Sequence, residues 1–269
     1  MHVVRMVTEG KGRYMFNYKI TLQYDGTGIQ GWQKQTRTQN TIQGKLEAIL
    51  TKMTGVQTEV HGAGRTDAGV HAYGQTANFK LREAIPEQKI LSYLNRYLPR
   101  QIAVTEICQV PESFHSRLSA KSKVYLYRIW NGPYSPVFER NFLYHIPEPL
   151  AVAPMRTAAA FFMGEHDFRS FSADRRSKKS TIRTLFHTEI QTLSAPLGTE
   201  VRIILHGSGF LYHMARIITG TLIEAGFGLR AAEEIPALFA CRDRSKAGFT
   251  APPQGLILQE VRYENESIL

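Results

Sequence analysis

Strand-like and helix-like periods alternate along this chain in an order that few folds accommodate. Phe16, Tyr18, Ile20, Leu22 and Tyr24 alternate with polar residues, the period-two pattern of a half-buried strand. Asn40 then caps a helix whose apolar positions Ile42, Leu46, Ile49, Leu50 and Met53 share one face, and Gly55 ends it. Two strands follow, around residues 56–61 and 73–81. Pro86 opens a second helix with Ile90, Leu91, Leu94 and Leu98 on its face, and Pro99 closes it before a strand at residues 102–110. The order is βαββαβ, the ferredoxin-like split arrangement. After a link at residues 111–122 it recurs: a strand at 124–130, a helix at 155–163, strands at 182–193 and 201–206, a helix at 210–225, an added helix at 231–240 and a last strand at 256–263. No residue-level repeat accompanies it. The expectation is an α+β fold with an extension over residues 1–15, one ferredoxin-like unit over 16–111 and a second over 112–269. Their sheets join around a central cleft.

Between the second and third strands lie residues 62–72, GAGRTDAGVHA. Glycines at 62, 64 and 69 let the backbone take positive φ and approach a ligand closely, while Arg65 and Asp67 set a cation and a carboxylate two residues apart. Hairpins need only about two to five connecting residues, and a longer loop holding an acid and a base beside flexible backbone is the kind that carries function. The residues alone leave a second reading open, in which Asp67 is a turn former and forms a solvated surface pair with Arg65. The loop is no nucleotide cradle, because no Lys-Ser or Lys-Thr follows the glycines and their spacing fits neither a phosphate loop nor a dinucleotide fingerprint.

The 269 residues hold 33 Lys and Arg against 23 Asp and Glu, a formal net charge of +10. That balance favours an anionic partner, nucleic acid before a membrane surface. No stretch offers about 18 uninterrupted apolar residues. Even residues 210–229 are broken by His213, Arg216 and Glu224. The N-terminus shows no apolar core followed by a small-residue cleavage site, so a cytoplasmic location is expected. Cys108 and Cys241 are too few for a disulfide framework or a thiolate metal site, and the nine histidines lack helical metal spacing, so no metal is expected. Two basic segments stand out: residues 173–180, ADRRSKKS, with Arg175, Arg176, Lys178 and Lys179, and residues 242–246, RDRSK, with Arg244. The first reads equally as a solvated loop or a phosphate-contacting arm, the second as an irregular exposed segment.

Taken in order, the segments YDGTGIQGWQKQ, NTIQGKLE, the glycine loop, Leu98-Pro99, FHSRLSAKSKVYLY, HDFRSF, TIRT, GFLYHMARIITG and RSKAGFTAPPQGL carry a specific resemblance. Over residues 18–263 the chain resembles the tRNA pseudouridine synthase A family, which isomerises uridines at nucleotides 38, 39 and 40 of the tRNA anticodon arm. The resemblance implies two ferredoxin-like units sharing a sheet around a cleft, and a homodimer in which one tRNA touches both subunits. Residue by residue, it places the catalytic aspartate on Asp67, its neighbouring arginine on Arg65, the active-site tyrosine on Tyr125 and the arginine that pairs with the carboxylate on Arg216. Residues 1–16 have no clear counterpart, and ADRRSKKS is specific to this chain.

The implied chemistry breaks the N-glycosidic bond, turns the uracil and joins its C5 to the ribose C1′, with no redox change, so no cofactor is expected. An aspartate can serve as nucleophile at the sugar or as base towards the 2′ position. It must be ionised, which a nearby arginine favours. Tyr125 is expected to stack on the target base and assist loss of the C5 proton, and Arg65 to hold the flipped nucleotide. Arg175, Arg176, Lys178, Lys179 and Arg244 are expected to guide the tRNA by charge. Without the resemblance, Arg216 reads as a helix residue at the edge of the core and Tyr125 as part of a half-buried strand. A noncatalytic RNA-binding protein is the alternative, though no aromatic-glycine RNA-recognition run is present. A nucleoside hydrolase would need a second carboxylate, and none stands out.

Overall fold

The strand that opens the first unit lies inside a sheet with partners on both edges. In β1 (Phe16–Tyr24) the alternating residues Tyr18, Ile20, Leu22 and Tyr24 are buried, as the period-two pattern requires. The computed structural model describes residues 15–174 and 179–264. Its further elements are α1 (Ile42–Thr54), β2 (Val60–Gly62), β3 (His71–Leu81), α2 (Glu87–Tyr97), β4 (Ile102–Val110) and β5 (Ser122–Asn131). They continue through β6 (Tyr144–Ile146), α3 (Val152–Ala160), β7 (Gly164–Asp167), β8 (Ile182–Ala195), β9 (Gly198–Gly207), α4 (Met214–Gly226), α5 (Ile235–Cys241) and β10 (Leu256–Arg262).

One sheet carries the strand order β4-β1-β3-β10-β5-β9-β8-β7, with β2 pairing on β3 and β6 on β5. Each half follows the same order of last, first, third and second strand: β4-β1-β3-β2 and β10-β5-β9-β8. That is the ferredoxin-like arrangement twice over, joined where β3 meets β10. The junction is short and parallel, His71 opposite Ile257 and Ala72 opposite Leu258. Further along β3, Ala77 and Phe79 pair instead with Gly62 and Val60 of β2, while β1 occupies the other edge throughout. Two strands therefore share one edge of β3 and diverge from each other. The loop between β2 and β3 rises from this fork, over the line where the two units meet.

Several boundaries differ from expectation for local reasons. Thr41, not Asn40, caps α1: its backbone is extended (φ −126, ψ 153) and its Oγ1 accepts from Gly44 N at 3.2 Å, whereas the Asn40 amide donates to Gly28 O. Helix α3 starts before Pro154 because proline in a first turn forfeits only an N–H that has no intrahelical partner. Helix α4 begins at Met214 and not at residue 210, because His213 adopts φ 61, outside the right-handed helix. Strands β6 and β7 span three and four residues, too short for a period-two signal.

Of the 13 residues of α4, 11 are buried, so this helix is enclosed all round and only Arg216 and Glu224 reach partly towards water. It crosses residues 247–251 at van der Waals distance. A Cβ on Gly220 would fall on the Phe249 carbonyl, 2.8 Å from its carbon, and one on Gly248 would lie 2.6 Å from the Thr221 Cα. Alanine in a helix interior is ordinarily favoured over glycine by about 1 kcal/mol. Here the steric term reverses the sign, so Gly220→Ala should destabilise the fold by about 2–3 kcal/mol, read as a lower midpoint in urea at unchanged slope. Among the described residues no helix is long and apolar enough to cross a membrane.

Candidate active site

The loop between β2 and β3 is held by the one between β1 and α1. Trp32 is buried, its backbone N–H donates to Thr66 O at 3.0 Å, and Gly69 N–H reaches Ile29 O at 3.3 Å. From the sheet, Tyr24 OH meets Thr66 Oγ1 at 2.8 Å and Gln75 Nε2 donates to Gly64 O at 2.9 Å. The glycines divide the work differently from expectation. Only Gly69 of the three takes a left-handed backbone, at φ 77. Gly62 is needed for space, since a Cβ there would fall on the Trp32 ring, while one on Gly64 would lie 2.7 Å from Lys123 Nζ, the movable end of a long side chain.

Asp67 projects from this loop towards the start of α4, its side chain about a quarter exposed. Its Oδ2 accepts from Arg216 Nη1 at 2.9 Å and lies 3.3 Å from His213 Nε2. No ion pair forms with Arg65, so the surface-pair reading of those two residues does not hold; Arg65 is exposed and lines the cleft. Arg216 is itself anchored. Its Nε donates to Ala251 O at 2.7 Å and its backbone carbonyl accepts from Ala251 N at 3.1 Å. The close crossing at Gly220, one turn further on, thus fixes where the guanidinium meets the carboxylate.

Tyr125 lies mid-sheet on β5, opposite Leu205 of β9 and Leu258 of β10. The ring is buried and packs edge-on against Phe210, centroids 4.8 Å apart at 76°. Burial, with Tyr24 and Asp67 adding to it, pushes its phenol well above the ordinary range, so it keeps its proton at neutral pH. Two residues earlier on the same face of β5, Lys123 donates from Nζ to Ala63 O at 2.8 Å. Burial pushes this amine down to about 8, and Arg117 and Arg183 press it the same way.

These groups face one cleft of about 1280 Å³. Among the described residues its lining holds six basic side chains, Arg65, Arg117, Lys123, Lys179, Arg183 and Arg216, against the three acids Glu59, Asp67 and Asp174. The site therefore carries the positive sign that phosphates require. Arg175, Arg176 and Lys178 lie outside the described residues. Arg244 is absent from the lining; its guanidinium bonds Ala247 O at 3.2 Å and Thr250 Oγ1 at 3.1 Å, tying the 247–251 segment to its own turn. Among the described residues no group of three His, Cys, Asp or Glu side chains could hold a metal ion.

His213 is not legible in the sequence, because histidines are dispersed along the chain and its left-handed backbone leaves no trace there. Its spacing from Arg216 is no signal either, since the helical i, i+3 rule does not extend to a residue with a left-handed backbone. Lys123 and Arg183 stand in the sequence only as parts of FHSRLSAKSKVYLY and TIRT.

A family model described as tRNA pseudouridine synthase matches residues 20–118 and 158–264. A protein of Bacillus sp. (strain KSM-64) named tRNA pseudouridine synthase A is 45% identical over 249 residues, covering 93% of this chain and 100% of that protein. Proteins of Bacillus anthracis and Ruminiclostridium cellulolyticum, named tRNA pseudouridine synthase A 2 and tRNA pseudouridine synthase A, are each 42% identical over the same shares. With a carboxylate, its arginine and a buried tyrosine gathered in one basic cleft, and with relatives matched along almost its whole length, this chain belongs to the tRNA pseudouridine synthase family.

Proposed function

We propose that the protein isomerises uridine to pseudouridine in the tRNA anticodon arm, at nucleotides 38, 39 and 40, with Asp67 as the essential carboxylate. The observation that carries this reading is the engagement of Asp67 through a single oxygen: Oδ2 meets Arg216 and His213, and among the described residues no hydrogen bond reaches Oδ1. The N1–C1′ bond breaks, the C5–C1′ bond forms, the C5 proton leaves and N1 ends protonated. Asp67 attacks C1′ or removes the 2′ proton, and either route uses an ionised carboxylate.

The target base must leave its stack to reach Asp67, a step of about a few kcal/mol. The basic wall offsets it by holding phosphates, with Arg65 on the flipped nucleotide and Lys179 at the rim. Arg175, Arg176 and Lys178 guide the tRNA by their charge, as does Arg244 with less support, since its head is already bonded to its own turn. A homodimer in the cytoplasm, with one tRNA touching both subunits, completes the reading.

Tyr125 stacks on the turned-out uracil beside Phe210, and its hydroxyl assists departure of the C5 proton. Because burial holds the phenol protonated, it assists within a proton relay and not as a standing phenolate. Tyr125→Phe should lower kcat about 100-fold with tRNA affinity kept. Unchanged turnover in that variant would leave only the stacking role.

The function is tested by incubating the protein with unmodified anticodon-arm tRNA, digesting the RNA and identifying the nucleosides by position. Pseudouridine at 38–40 is expected. Unchanged RNA despite tight binding would establish a binding protein, and free uracil would establish a hydrolase.

A further inference from the structure

His213 is the group at the site that the family resemblance leaves without a part. Its backbone lies at φ 61, and among the described residues only Arg242 shares a left-handed conformation without being glycine. For a residue with a Cβ this conformation is strained, and such strain concentrates where a side chain must be aimed. His213 occupies the cap position of α4, yet its side chain makes no cap hydrogen bond. The ring instead turns into the cleft, Nε2 3.3 Å from Asp67 Oδ2, with the Tyr212 ring against it at 3.8 Å between centroids. The charged groups around it are Asp67, Arg216 and Arg244. Burial lowers its pKa and both arginines lower it further, against the pull of Asp67. The imidazole is therefore neutral at neutral pH, and facing a carboxylate it carries its proton on Nε2.

We propose that His213 is a positioning residue for the isomerisation, its imidazole edge set 3.3 Å from the Asp67 oxygen that Arg216 Nη1 hydrogen-bonds, so that Oδ1 is presented to the ribose. This rests on the reading of Asp67 as the reacting carboxylate. One donor leaves a carboxylate free to rotate and exchange its oxygens; a ring packed against Oδ2 beside that donor restricts the rotation. The arrangement also accounts for the left-handed turn, because a right-handed residue 213 would continue the helix and carry the ring elsewhere.

Glycine relieves the backbone strain while deleting the donor, so it separates positioning from folding. His213→Gly should melt no lower than the unmodified protein, bind tRNA with KM within about twofold, and lose about 10- to 100-fold in kcat, the scale of a misplaced reacting group. His213→Gln keeps an N–H at similar reach and should recover most of that loss, though its strain remains. A glycine variant with full kcat, or a folded glutamine variant no better than glycine, would overturn the inference. Asp67→Asn is assayed alongside. If it also keeps full turnover, the reading of Asp67 fails; if it is inactive while His213→Gly is not, only the role of His213 fails.

Discussion

Asp67→Asn should reduce tritium release from tRNA labelled at uridine C5 by at least about a thousandfold, with tRNA binding retained. Asparagine has nearly the same shape, so the loop anchored by Trp32, Thr66 and Gln75 has no reason to move. Its carbonyl can still accept from Arg216, yet a neutral amide neither attacks C1′ nor takes a proton. The variant therefore separates chemistry from geometry better than alanine does. Stability should fall too, because Arg216 is only 12% exposed and loses its counterion. A fully buried pair broken on one side costs about 3–5 kcal/mol, and the open cleft reduces this to roughly 1–2 kcal/mol. Release within tenfold of the unmodified protein would remove Asp67 from the reaction.

What could be read in the sequence was whatever leaves a periodic trace. The alternation in residues 16–24 and the apolar face of residues 42–53 are such traces in the first unit, since burial on one face of a regular element imposes a repeat. The junction of β3 with β10 was not legible: two parallel residue pairs about 186 positions apart leave no local pattern. Asp67 and Arg216 stand 149 residues apart, and only the resemblance joined them; spacing alone leaves Arg216 a helix residue at the edge of the core. The glycines of the loop show the converse limit. Their presence was informative, but whether each serves a left-handed backbone, as at Gly69, or a close approach, as Gly62 does against Trp32, depends on what the fold brings opposite.

Arg216 should prove nearly as sensitive as Asp67, and lysine should not replace it. The guanidinium bonds Asp67 through Nη1 and Ala251 through Nε, at 2.9 and 2.7 Å, a fork that one ammonium cannot reproduce. Arg216→Lys should lower kcat about 100-fold, because the remaining cation can satisfy the carboxylate or the carbonyl but not both in the same geometry. Arg216→Met fills the same volume without charge and should cost about 1000-fold at neutral pH. The methionine variant carries a further signature. Arg216 is one of the charges that lower the pKa of His213, and Arg244 is the other, while Asp67 acts in the opposite sense. With Arg216 gone, the His213 pKa rises, and its imidazolium becomes the nearest cation to Asp67 as pH falls. Residual kcat of Arg216→Met should therefore increase as pH falls through and below about 6.5, the ordinary histidine value from which burial and Arg244 still lower His213, until protonation of the carboxylate ends the gain. The unmodified protein, which already holds a permanent cation there, should show no such rise. A flat profile for the methionine variant would mean that His213 contributes no charge to Asp67 even when Arg216 is absent, and the double variant Arg216→Met, His213→Gln should be flat in any case.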